Sequence, residues 1–144
     1  MPGEIELYFP LEPVAVQSAR FACVGRNKIR SYQPRKVTDY KQFLRYNAAN
    51  QLPEDFKLFD CALIVEGEFC YLPPKSMRKC DLRRIEDGEI VYKITKPDVD
   101  NLTKGTQDAL NGVVWRDDAI IADYHIRKFY GMKPYIRLRV IPVL

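Results

Sequence analysis

Five side chains between residues 98 and 118 form the set best suited to chemistry: Asp98, Asp100, Lys104, Asp117 and Asp118. Asp98 and Asp100 are two apart, so in an extended segment both carboxylates point to one side of the chain. Pro97 favours a non-helical entry. A helix of about twelve residues would then climb roughly 18 Å at 1.5 Å per residue. If residues 113–118 run extended, they come back roughly 20 Å at 3.3 Å per residue, placing Asp117 or Asp118 beside the helix start. Lys104, at i+4 from Asp100, reaches the same point. Clustered carboxylates raise one another's pKa unless a cation relieves them. Mg²⁺ is the natural partner, because it takes hard oxygen ligands and keeps open water positions. Those positions can carry a nucleophilic water and the oxygens of a scissile phosphate. Lys104 would stabilise charge on the phosphate or the leaving oxygen. The N–H groups of the helix start would add to that.

Each residue taken singly has a plainer role. Asp100 reads as a helix N-cap, Lys104 as an i+4 partner of Asp100 and Asp108, and Asp117-Asp118 as a turn before a strand. Asp98 has no such role, because it precedes the expected cap. Asp108 is expected to meet solvent and His125 to be packed in a strand.

Composition narrows the field. A length of 144 residues suits one domain spanning 1–144. An apolar content of 47% and a charged content of 29% fit a folded globular chain rather than a disordered one. No apolar run is long enough to span a membrane, and the acidic N-terminus lacks the build of a signal peptide, so a cytoplasmic protein is expected. His125 is the only histidine, which excludes any site needing two in one chain. Cys23, Cys61, Cys70 and Cys80 show no C-x-x-C pairing, so buried free thiols are expected and no small-molecule cofactor is implied.

The formal net charge of +4 conceals blocks of opposite sign. Residues 20–45 hold eight basic residues and one acid; residues 75–84 hold five and one. Residues 98–123 reverse this, with six Asp against Lys104 and Arg116, and residues 127–139 hold five basic residues and no acid. Basic arms around a carboxylate cluster suit a polyanion.

The pattern predicts a strand at 5–9 and a hairpin of 20–24 with 28–32. A helix follows from a Thr38-Asp39 cap to about Gln51. A long strand over 61–71, bent at Gly67, leads to a basic helical excursion over 75–86 and a turn at Asp87-Gly88. A second main helix starts near Asp100 or Asn101 and ends at Asn111-Gly112, with Leu102, Gly105, Ala109 and Leu110 facing the core. Strands at 119–129 and 135–143 close the chain. Strands mixed with helices in both halves place the fold in the α+β class: a compact two-layer domain of mixed and antiparallel strands with two main helices.

The run Lys96-Pro97-Asp98-Val99-Asp100-Asn101-Leu102-Thr103-Lys104, then Asp108-Ala109-Leu110-Asn111-Gly112 and Trp115-Arg116-Asp117-Asp118, resembles the signature of the RusA family of Holliday junction resolvases. The likeness continues through His125-Ile126-Arg127-Lys128 and, more weakly, through Tyr32-Gln33-Pro34, Asp39-Tyr40-Lys41 and Pro73-Pro74-Lys75-Ser76. It implies a homodimer that uses Mg²⁺, with Mn²⁺ as a substitute, to cut four-way DNA junctions by paired symmetric nicks in recombination and repair. By position, Asp98, Asp100 and Asp118 match the metal-binding acids, Lys104 the essential lysine, and Asp117 an accessory acid. One departure stands at Gln17-Ser18-Ala19-Arg20, where many members carry a more basic stretch. The residues expected to meet DNA are Arg20, Lys28, Arg30, Lys75, Arg78, Lys79, Lys96, Arg127 and Lys128. Two other readings use the same residues: a less selective or flap-type Mg²⁺ nuclease, and a non-catalytic nucleic-acid-binding protein.

Overall fold

Leu63, Val65, Gly67 and Phe69 are buried, while the residues between them, Ile64, Glu66 and Glu68, are only partly so. This period of two marks a strand with one face on the core and one toward solvent. A computed structural model describes residues 3–16, 20–23, 25, 28–32 and 34–144, with the backbone alone for 20–23 and 29–32. Gln17, Ser18, Ala19 and Gln33, named above, and residue 24 of the expected hairpin lie outside the described residues.

The elements are β1 (Ile5–Phe9), β2 (Arg20–Cys23), β3 (Ile29–Tyr32), α1 (Arg35–Gln51), β4 (Leu63–Tyr71), α2 (Lys79–Glu86), β5 (Val91–Tyr92), α3 (Val99–Leu110), β6 (Ile121–Tyr130) and β7 (Tyr135–Pro142). Five strands form a mixed sheet in the order β1-β7-β4-β6-β5. β4 pairs parallel with β6 and antiparallel with β7. β2 and β3 form the expected hairpin as a separate antiparallel pair. The mixed sheet with its helices is the α+β arrangement expected, and α2 forms the later part of the helical excursion expected over 75–86.

α1 and α3 pack against each other and on one face of the sheet. Leu44, Ala48, Leu102 and Leu110 meet Val65, Phe69 and Leu138 in the core. Two glycines set how closely these layers approach. A Cβ on Gly105 would stand 2.8 Å from Val16 Cγ2 and 3.3 Å from Tyr40 Cε2, so α3 sits tight against α1 and residue 16. A Cβ on Gly67 would stand 2.6 Å from Ile126 Cδ1. Gly67 therefore makes room for β6, and β4 keeps its pairing with both neighbours through the expected bend position.

Some boundaries move. α1 begins at Arg35 rather than after Thr38, because Pro34 takes the N-cap position with an extended backbone and its carbonyl accepts from the amides of Val37 and Thr38. β5, two residues on the sheet edge, falls outside the expected strands and is too short to show a period. Cys70 is buried, Cys61 half-buried and Cys80 exposed, so the expectation of buried thiols does not extend to Cys80. Among the described residues, no helix is long and apolar enough to cross a membrane.

Candidate active site

The N-terminus of α3 is built by its own backbone. Asp98 takes the N-cap position in an extended conformation, and its carbonyl accepts the first helical bond from Leu102 N at 3.2 Å. Its side chain makes no capping hydrogen bond. Asp100 lies within the first turn, so the two acids are not neighbours on an extended strand as expected. The helix starts one residue earlier than its pattern suggested, because the extended backbone of Asp98 is itself a sufficient start. Both acids are exposed, and both sit where the helix dipole favours negative charge. A cavity of about 300 Å³ opens beside Asp98, lined by Ala15, Lys96, Pro97 and Asn101.

Neighbouring segments hold this end in place. Val16 N donates to Asn101 O at 3.2 Å. Lys128 Nζ donates to Thr95 O at 2.6 Å and to Pro97 O at 2.7 Å.

The other end of α3 closes differently. Residues 111–115 form a tight turn rather than the extended return expected: Val113 N and Val114 N both bond to Leu110 O, and Gly112 N bonds to Trp115 O. Gly112 has φ 78°, a left-handed conformation that glycine adopts without strain. Burial drives the turn. Trp115 and Val114 are fully buried. Trp115 Nε1 donates to Asn111 Oδ1 at 2.7 Å, and Phe59 bonds to both sides of the segment through Val114 O and Arg116 N. The chain enters the core here instead of running back along the helix.

Asp117 and Asp118 therefore lie against the later turns of α3. The Asp118 carboxyl is raised above its ordinary range by desolvation, by a hydrogen bond with Asp117, and by the fields of Asp117 and Asp108. Tyr124, whose hydroxyl is 3.4 Å from Thr106 Oγ1, is pushed up to about 12 by burial and by the charge of Asp118. Asp108 is not the solvent residue expected. Lys41 on α1 pairs with it at 3.3 Å, because α1 lies alongside α3. Arg45 on α1 donates to Ala109 O and Asn111 O, each at 2.9 Å, satisfying carbonyls at the helix end.

Asp100, Lys104 and Asp108 stand at i, i+4 and i+8, one stripe of α3. Eight residues separate the two acids, about 12 Å along the axis. Lys104 is half-buried between them, with no hydrogen-bond or ion-pair partner among the described residues. No three His, Cys, Asp or Glu side chains among those residues are close enough together to hold a metal. The donors are carboxylates of the kind that hard divalent cations take. The crowding at Asp118 is what a cation relieves, so the donor chemistry fits while the three-acid set is not closed here.

The residues expected to meet DNA divide into groups. Lys28, Lys75, Arg78, Lys79 and Lys96 are exposed, with Arg78 paired to Asp81 at 3.2 Å. Arg20 and Arg30 stand on β2 and β3. Arg127 and Lys128 part company. In register, Arg127 pairs with Glu68 on the open face of the sheet and Lys128 with core residue Phe69. Arg127 is held by Glu68 at 3.4 Å and lies over the Phe129 ring. His125 is exposed on the same open face, 2.9 Å from Asp123, because the strand period turns it away from the helices. A depression of about 740 Å³ on that face is lined by Glu6, Glu66, Glu68, Arg137 and Arg139, where opposite charges offset one another. Arg139 there is bound to Glu4 and Glu66.

Asp108, expected in solvent, and Tyr124 are further parts of this region: the i+8 spacing of Asp108 from Asp100 is a signal in the sequence, while Tyr124 depends on tertiary contacts.

A small mixed sheet thus carries a helix with acids at both ends. The chain belongs to the RusA family: the family model Endodeoxyribonuclease RusA matches residues 10–141. These are Holliday junction resolvase nucleases that act on branched DNA and generally depend on divalent metal. The chain is also 32% identical over 132 residues to Uncharacterized protein YqaN of Bacillus subtilis (strain 168), covering 90% of this chain and 89% of that one.

Proposed function

We propose that this chain is a Mg²⁺-dependent endodeoxyribonuclease that resolves four-way junctions by paired symmetric cuts, acting as a homodimer. One observation carries the reading: Asp98 occupies the N-cap of α3 without capping it, and among the described residues neither its carboxylate nor that of Asp100 nor the Lys104 ammonium, all on the first turns of this helix, has a side-chain partner. In this reading Asp98, Asp100 and Asp118 hold the cation, for which Mn²⁺ substitutes. The bound ion supplies an activated water and Lewis-acid stabilisation of the phosphate. Lys104 stabilises charge developing on the phosphate or leaving oxygen. Asp117, hydrogen-bonded to Asp118, is the accessory acid that tunes its proton affinity.

Lys28, Lys75, Lys79 and Lys96 hold backbone phosphates, with Arg20, Arg30 and Arg78 as further candidates. Such contacts give affinity and salt dependence rather than sequence reading. Residues 98–118 supply one candidate acid cluster per chain, and two opposed cuts need two. A twofold dimer meets a substrate of matching symmetry.

The test compares cleavage and binding of a synthetic four-way junction by wild type and Asp98→Asn. Binding without cleavage supports the reading. Unchanged cleavage refutes the assignment of Asp98, and equal cutting of junction, flap and duplex refutes junction selectivity.

A further inference from the structure

Residues 93–97 carry the chain from β5 to Asp98. Among the described residues, no backbone–backbone hydrogen bond ties residues 94–97 to anything else. Side chains do that work instead. The half-buried Lys128 ammonium donates to the carbonyls on either side of Lys96, at 2.6 and 2.7 Å. These are short, charge-assisted bonds, and they use two of the three donors an ammonium has. Lys93 braces the same strap. Its amide bonds to Lys128 O at 3.1 Å and its ammonium to Thr95 Oγ1 at 2.8 Å. That ammonium also lies 5.1 and 5.3 Å from the ring centres of Tyr71 and Tyr130.

We propose that Lys128 is a positioning residue for the acid site: it clamps residues 95–97 and so fixes the backbone from which Asp98 projects. A phosphate contact is the competing role for this lysine, and a phosphate would have to displace two carbonyls. The catalytic half of the inference rests on the role proposed for Asp98; the clamp itself does not.

The test is hydrogen exchange over residues 93–101 in Lys128→Met and wild type. It is joined by junction binding across salt concentrations and by single-turnover cleavage across Mg²⁺ concentrations. Exchange over 93–101 is expected to speed at least about tenfold, with little change elsewhere. Junction affinity and its salt slope stay within about twofold. Cleavage at saturating substrate falls about tenfold or more with a raised Mg²⁺ half-saturation, and Lys128→Arg, whose fork also offers paired donors, recovers most of it. Unchanged exchange overturns the clamp. So does a loss of affinity with the salt slope reduced by about one, which marks a phosphate contact. If Lys128→Met fails to fold, Lys128→Gln carries the same exchange comparison. Cleavage surviving in Asp98→Asn refutes the catalytic assignment, while the exchange result still decides the clamp.

Discussion

At the start of α3, Asp98 and Asp100 stand in solvent beside backbone amides, with no side-chain partner among the described residues. At its end, Asp117 and Asp118 crowd each other and Asp108, which Lys41 pairs at 3.3 Å. The first pair is fixed by backbone: a cap position, the Val16–Asn101 bond and the Lys128 clamp. The second group is fixed by a buried tryptophan and a turn. One end holds its charges cheaply, and the other stores repulsion that a proton or cation releases. Were a cation held as proposed, the crowded end is the one whose protons it would have to displace.

The sharpest way to break this comparison is at the uncrowded end. Asp98→Asn and Asp100→Asn should each lower junction cleavage by about a thousandfold, the size expected on losing a major electrostatic contributor, while a gel-shift assay shows binding intact. The crowded end should respond first through its support. Asn111→Ala leaves the buried Trp115 N–H without a partner, which should cost about 1–3 kcal/mol in denaturant unfolding and displace Asp117 and Asp118.

Junction binding gives the next effect. Replacing Lys75 and Lys79 together with Gln should flatten the slope of log K against log salt by about 2, because each phosphate contact adds about 0.9. Arg127→Gln should leave that slope unchanged, since Arg127 is held by Glu68 on the open face.

The smallest effect is a stability change with a defined sign. Asp118 binds its proton more tightly in the folded chain than at the ordinary value of 3.8, so its ionised form weakens the fold. That cost is absent below the unfolded pKa and grows as pH rises through the folded one. Asp118→Asn should therefore raise Tm by about a degree at pH 7 and by nothing at pH 3. Wild-type cleavage should rise with pH over the same interval.

Periodicity made much of this fold legible. The alternation in β4 and the three-and-four spacing of Tyr40, Phe43, Leu44 and Ala48 mark which faces turn inward, and the structure buries all of these helix positions but Phe43, which is exposed at the edge of the stripe. The acid residues were legible as a set from their types and order. Their arrangement was not, because the path after Leu110 depends on where Trp115 finds room in the core, and no local spacing encodes that. Arg127 and Lys128 show a second limit. As neighbours in a basic run they read alike, yet the strand turns one to the open face and the other to the carbonyls before Asp98. β5 escaped notice because two residues on an edge carry no period.

The strand order has a consequence for how the molecule is made. β7 lies between β1 and β4, pairing with the first strand on one side and the central strand on the other. Its contacts with β1 join residues 5–9 to residues 136–140, nearly the full span of the chain. Contacts of such sequence separation carry a high loop-closure cost and slow folding. During synthesis β1 has no place in the sheet until residues near 140 have emerged, so the chain that carries the acids is translated well before the sheet beneath them can close.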